Sequence, residues 1–262
     1  MPADVLRLDL RLRRRSIAAY SLGLAGYTFL IVALYPTFRH DAGLDQLTSS
    51  NPTLSALFGA SGSLTSPAGW MNANLYANFL PLFALLMTIG YGAFAVAGQD
   101  EDGTLGEIAG LPLTRDRILV QKVLALAGLS LLVPVVCSAV TLAGRAYGID
   151  LPASALVQTT LSSAVMAFDL GLVALAVGAW TGRRATALGV AAGVAATAYV
   201  VSSLAPVVAV VHHLRYLSPI YWGVGADQIH DGVGIASASL LLALAIVGVL
   251  AARIGFRRLD IH

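Results

Sequence analysis

The stretch Gly98-Gln99-Asp100-Glu101-Asp102-Gly103-Thr104-Leu105-Gly106-Glu107-Ile108-Ala109-Gly110-Leu111-Pro112-Leu113-Thr114-Arg115-Asp116-Arg117 decides the fold, because it is a short polar elbow between two long apolar runs. Residues 74–98 before it and 117–144 after it are each long enough for the ~20 apolar residues that a membrane-crossing helix needs. Residues 99–116, the elbow itself, read as break, short helix, break. Gly98 and the acidic triplet Asp100-Glu101-Asp102 end the first long helix. Thr104-x-x-Glu107 matches a capping box, in which a hydroxyl and a carboxylate satisfy orphan amides at a helix start. Pro112 stops that helix after about two turns. Thr114 is placed to cap the next helix, and Arg115 and Arg117 hold its start at a membrane surface. A short helix braced between two long ones is a lever: a push on it tilts both.

Further apolar runs at 16–36, 154–181, 186–211 and 233–252 bring the total to six. With 57% hydrophobic and 11% charged residues and a mean hydropathy of +0.78, the chain lies far outside soluble-domain averages. The expected fold is an all-α polytopic membrane protein, one transmembrane domain over 1–262, with six transmembrane helices and a short helix between helices 2 and 3. Arginine placement sets the orientation. Thirteen of the sixteen basic residues fall on one side, and only Arg39, Arg145 and Arg215 on the other. By the positive-inside rule the elbow and both termini are cytoplasmic. Residues 1–15 alternate Val5-Leu6-Arg7-Leu8-Asp9-Leu10-Arg11-Leu12 with a period of two. A strand there has no partner, so a short interfacial segment with snorkelling arginines is expected. Loop 37–73 is long and outer, with a short surface helix expected within Thr53–Phe58 and turns over Gly59–Pro67. Loop 212–232 is outer, carries Tyr216, Tyr221 and Trp222, and is a candidate to dip back toward the bilayer.

Several chemistries are excluded by residue type. Lys122 is the only lysine, in Gln121-Lys122-Val123, so a G-x-x-x-x-G-K-[ST] phosphate loop is absent. Any ATP-derived work therefore has to come from another polypeptide, and no cofactor is expected on the chain. Neither H-E-x-x-H nor G-x-S-x-G occurs, which argues against an embedded enzyme. Cys137 is the sole cysteine and reads as a small core hydrophobe. Adjacent His212 and His213, with His230, lack the spacing of a metal site. The arginines follow topology and form no nucleic-acid stripe.

The elbow resembles the permease subunits of type-2 ABC exporters, the ABC-2 family, whose second span is followed by G-E-E-x-x-G-T-L-E…P-x-S-R…K. Gly98, Glu101, Gly103, Thr104, Leu105, Pro112, Thr114, Arg115 and Lys122 fall at or near matching places. The likeness extends along the chain through Leu57-Phe58-Gly59 in the first outer loop, Leu217-Ser218-Pro219 before the last span, and the basic tail. The resemblance implies a permease dimer, of identical or different chains, carrying two ABC ATPase subunits that bind ATP and Mg. It makes the elbow the coupling helix, with Glu101, Thr104, Leu105, Glu107, Pro112, Thr114 and Arg115 its coupling residues, and Glu107 and Arg115 the expected polar contacts. It also implies export of a drug-like, lipid-like or other amphipathic cargo by alternating access. Gly106 departs from the pattern, and the acid appears one residue later at Glu107, a rotation of ~100° on a helix. Glu107 is therefore either the ATPase contact or only the cap partner. Arginine used almost to the exclusion of lysine, with abundant alanine and glycine, hints at a GC-rich bacterial genome and a bacterial plasma membrane.

Within the membrane, Asp169 is the sole acid deep in an expected span. Gln158 and Ser162 precede it by eleven and seven residues, which puts all three on one helical face within ~20°. A carboxylate at the bilayer centre costs at least ~2.5 kcal/mol, so Asp169 should face protein or water. Two roles compete: contact with cargo in a central cavity, or a structural hydrogen bond to a neighbouring span, with Asn78 the candidate partner. Gly189-x-x-x-Gly193 provides a smooth helix face, expected to pack within one subunit in preference to a dimer seam. An ion-coupled secondary transporter is the rival function, but a single buried acid supports it thinly.

Overall fold

A computed structural model of the chain describes residues 4–41, 43, 46, 63–205, 208–225 and 228–259. Among them every regular element is a helix, and six are long and apolar enough to cross a membrane: Arg14–Phe38, Pro67–Glu101, Arg115–Tyr147, Ala153–Thr181, Arg184–Leu204 and Ile235–Arg258, called spans one to six. The surface helix expected within Thr53–Phe58 and the Leu57-Phe58-Gly59 patch lie outside the described residues.

Span four is the hub. Of its apolar window 72% is buried, against 11% for span six, because spans two, three, five and six all pack on it. Small residues allow this crowding. Span two crosses span four where Gly92 meets Gly171, and a Cβ on Gly92 would stand 2.2 Å from the Gly171 carbonyl oxygen. Span six docks through Gly255, which takes the Trp180 ring against its backbone, while the Trp180 indole donates to the Ala251 carbonyl at 2.9 Å. Span one has a narrower contact, burying only the stripe Leu24, Thr28, Ile31, Val32 and Tyr35 at helical spacing. Its remaining surface, with Leu22, Phe29 and Leu30 exposed, is apolar outward, as lipid requires.

Span two is longer than its apolar run implies. It begins at Pro67, with Pro at the first turn and the Ser66 hydroxyl accepting from the Gly69 amide. Two π turns, Asn72–Tyr76 and Phe94–Gly98, interrupt it. Span five stops at Leu204, short of the expected 211, and Ala209–His212 and Leu214–Leu217 form separate short turns. Residues 206 and 207, between span five and these turns, lie outside the described residues.

The N-terminal segment is a helix, Asp4–Leu12, despite its period-two alternation. Val5 and Asp9, four residues apart, are both buried in the bundle, whereas Arg7, Leu8, Arg11 and Leu12 remain exposed. The contacts beneath the segment override its alternation: the Gln121 side chain accepts from the Val5 and Leu6 amides at 3.0 and 3.2 Å, satisfying donors that a strand would aim elsewhere. This helix, the elbow, the turn between spans four and five and the end of span six at residues 256–259 all meet at one end of the bundle, the arginine-rich end. Arg39, Arg145 and Arg215 belong to the far end, where Arg39 approaches Gly148 and Arg145 lies 3.6 Å from Asp150.

Candidate functional site

The elbow turns at Gly103, whose φ of 75° is open to glycine without strain. That turn displaces the expected capping box. Gly103 occupies the cap position, Thr104 is already the first helical residue, and its hydroxyl donates back to the Gln99 carbonyl at 3.2 Å. The elbow helix is only Thr104–Ala109, and it ends at Gly110, before Pro112 is reached. Leu105 and Ile108 face inward and are buried. Glu107 points outward and is exposed, as is Leu111.

Most of the remaining polar residues bind the elbow to its own subunit. Glu101 accepts from the Arg184 amide at 2.8 Å, so a carboxylate seats the start of span five. The Thr114 hydroxyl accepts from the Arg117 amide at 3.3 Å and caps span three. Arg115 was an expected contact for a partner, but its guanidinium donates to the carbonyls of Phe256, Arg257 and Leu259 at 3.3, 3.4 and 2.7 Å. It thus closes the end of span six, where orphan carbonyls and the helix dipole favour a cation. Sequence reading passed over Asp116, which pairs with both Arg253, at 2.8 Å, and Arg257. The signal was present as a helix-start acid facing a basic tail, but only the fold brings the two together.

A second feature is an apolar groove of about 570 Å³ between spans two and five. Leu82, Leu85, Leu86 and Ile89 form one wall and Leu188, Ala192 and Ala196 the other, and no charged residue lines it. Its polar point is Asn78, whose side-chain oxygen accepts from the Tyr199 hydroxyl at 2.8 Å and whose amide donates to the Ala73 carbonyl at 3.1 Å.

The structure separates the other intramembrane candidates from this groove. Ser162 donates within reach of the Gly223 carbonyl at 2.8 Å and the Gln228 oxygen at 3.0 Å. Gln158 accepts from the Val233 amide at 2.9 Å. Both therefore pin the far-end loop, whose short helix Pro219–Val224 sits against spans four, five and six with Ile220, Gly223 and Val224 buried. Ser218 caps that helix and also donates to the Ala198 carbonyl at 2.8 Å. Asp169 is buried, 1% exposed, and among the described residues neither carboxylate oxygen has a hydrogen-bond partner. The expected bond to Asn78 is not made, because Tyr199 and the Ala73 carbonyl occupy that side chain. Gly189 and Gly193 are corrected as well. Span five buries Ala187, Ala191, Ala195 and Ala198, so the two glycines turn outward, with nothing within 4 Å of a Cβ built on either. They flank a second shallow apolar groove with Val190, Val194, Leu214 and Leu217.

Among curated proteins the chain has no significant match. A family model described as ABC-2 family transporter protein matches residues 3–244, nearly the whole chain. Six apolar helices, an elbow between the second and third, and that match across them agree: the chain belongs to the ABC-2 family, as a multi-pass membrane permease subunit of an ABC-type transporter.

Proposed function

We propose that this permease works in an ATP-driven exporter of the bacterial plasma membrane, with the elbow and both termini cytoplasmic. Two ABC ATPase subunits bind ATP and Mg and drive alternating access, and a second permease, a copy or a paralogue, completes the pathway. What carries this reading is the division of the elbow's side chains. Glu101, Thr104, Thr114 and Arg115 are spent inside the subunit, while Glu107 and Leu111 face out. An elbow whose residues reach the ends of spans two, three, five and six, with a helix bare on its outer side, passes a push to four spans at once. Leu105 serves that fastening by burial, while Pro112 lies beyond the helix end at Gly110.

The groove between spans two and five supports an apolar or amphipathic cargo over an ion, since no ionisable group lines it and Asn78 with Tyr199 offers one hydrogen-bonding point. The outward Gly189–Gly193 face of span five supports a second permease packing nearby.

The test is reconstitution with the partner ATPase in proteoliposomes, using an uncharged lipophilic fluorescent dye as probe. Glu107→Arg combined with Leu111→Asp changes only exposed positions. It is expected to weaken ATPase docking about tenfold or more, equivalent to ~1.4 kcal/mol, and to reduce dye export with it. Docking and export at the parent level would overturn the coupling role of the elbow.

A further inference from the structure

Beneath the elbow lies a closed set of polar side chains drawn from three separate segments. Asp9 of the N-terminal helix is 3% exposed and Lys122 of span three is fully buried. The Tyr91 hydroxyl donates to Asp9 Oδ2 at 2.7 Å, and the Gln99 amide donates to Asp9 Oδ1 at 3.0 Å. Lys122 Nζ stands 3.8 Å from Asp9 Oδ2 and donates to Gln99 Oε1. Gln99 is thus gripped on both side-chain atoms, and its backbone carbonyl takes the hydroxyl of Thr104, the first residue of the elbow helix.

We infer that Asp9 and Lys122 are positioning residues that clasp Gln99 and so make the N-terminal helix a moving part of the elbow. The inference rests on the coupling role proposed above. Burying both charges is unfavourable, and an apolar pair of similar volume would pack equally well. Stability alone therefore does not require them, whereas a charged pair admits one register, since any slip leaves an ion without its partner. Lysine suits the position: its compact ammonium can donate to Gln99 and face Asp9 together, where arginine's planar fork would need more room. The neighbouring contacts close the unit. Gln121, beside Lys122, holds the start of the N-terminal helix through the Val5 and Leu6 amides. At the other end Arg13 lies over the Tyr91 and Phe94 rings, 5.2 and 4.7 Å from their centroids, and Arg184 covers Phe94 at 5.6 Å. Displacing Thr104 thus pulls Gln99, and through it the N-terminal helix and span three.

The test compares the parent complex with the paired neutral variant Asp9→Asn with Lys122→Met, which leaves no unpaired buried charge. Each carries a nitroxide at Ile235→Cys, an exposed far-end position, in a Cys137→Ala background. Distances between the labels of the two permeases are read by pulsed electron paramagnetic resonance, without nucleotide and with ATP plus vanadate. The paired variant is expected to purify with its ATPases and hydrolyse ATP, yet to lose the nucleotide-driven shift that the parent shows. An equal shift in parent and variant overturns the clasp while leaving the elbow's coupling role intact. No shift in the parent removes the coupling role, and the clasp with it. Separate single variants guard against a folding artefact: if Lys122→Met alone purifies and shifts like the parent, the clasp is again overturned.

Discussion

Lys122→Met made alone leaves Asp9 buried with only the neutral donors Tyr91 and Gln99. Removing one partner of a buried pair typically destabilises by about 3–5 kcal/mol, so a clear fall in the detergent melting temperature is expected, with recovery when Asp9→Asn is added. Gly92→Ala tests packing at the crossing of spans two and four. The new methyl group would meet the Gly171 carbonyl oxygen at 2.2 Å, a backbone atom on a neighbouring helix, where no rotamer can yield. Overpacking of this kind costs about 1–3 kcal/mol and should appear as lower yield of folded protein in fluorescence-detected size exclusion. Asp169 poses a different question, because both its oxygens are buried and unpartnered among the described residues. Asp169→Asn keeps the shape and removes the acid; dye export equal to the parent is expected, since Asp169 is not in the wall of the groove between spans two and five. Loss of export would instead place this carboxyl on the cargo route.

Among the elements, the elbow and the tail of span six behave as one joint. Arg115→Ala frees the carbonyls of Phe256, Arg257 and Leu259, while the Asp116 pairs with Arg253 and Arg257 remain. Hydrogen bonds from a charged donor contribute about 1.5–3 kcal/mol, so the residues after Phe256 should become cleavable in limited proteolysis without unfolding the bundle. At this scale the sequence was a mixed guide. A short helix between two breaks and the cap at Thr114 were legible, because each depends on local backbone geometry, but the first break falls at Gly103, past the expected Gly98, and the helix ends at Gly110, before the expected stop at Pro112. The capping box was not, since Gly103 in the left-handed region shifts the cap by one residue and leaves the Thr104 hydroxyl to Gln99. The N-terminal helix was missed for a related reason: period-two alternation describes a surface, and here the surface is set by span three beneath it.

For the whole molecule, the arginine-rich end gathers the N-terminal helix, the elbow and the tail, and under the proposed coupling role that clustering lets one push reach several spans. The outward turn of Gly189 and Gly193 gives a test at this scale. In a Cys137→Ala background, Gly193→Cys is expected to form an intermolecular disulfide in membranes under mild oxidation; exclusively monomeric protein would remove that face from the permease interface. By itself the sequence determined the class, the six spans, the elbow and the family, because bilayer thickness, charge placement and backbone breaks act on short windows of chain. Tertiary structure alone decided what the polar residues do: Arg115 closes span six, Ser162 and Gln158 hold the far-end loop, and Asp9 meets Lys122 across more than a hundred residues. The physical reason is reach. A side chain bonds whatever the packing of small residues on span four brings within about 3 Å, and no local pattern records which neighbour that will be.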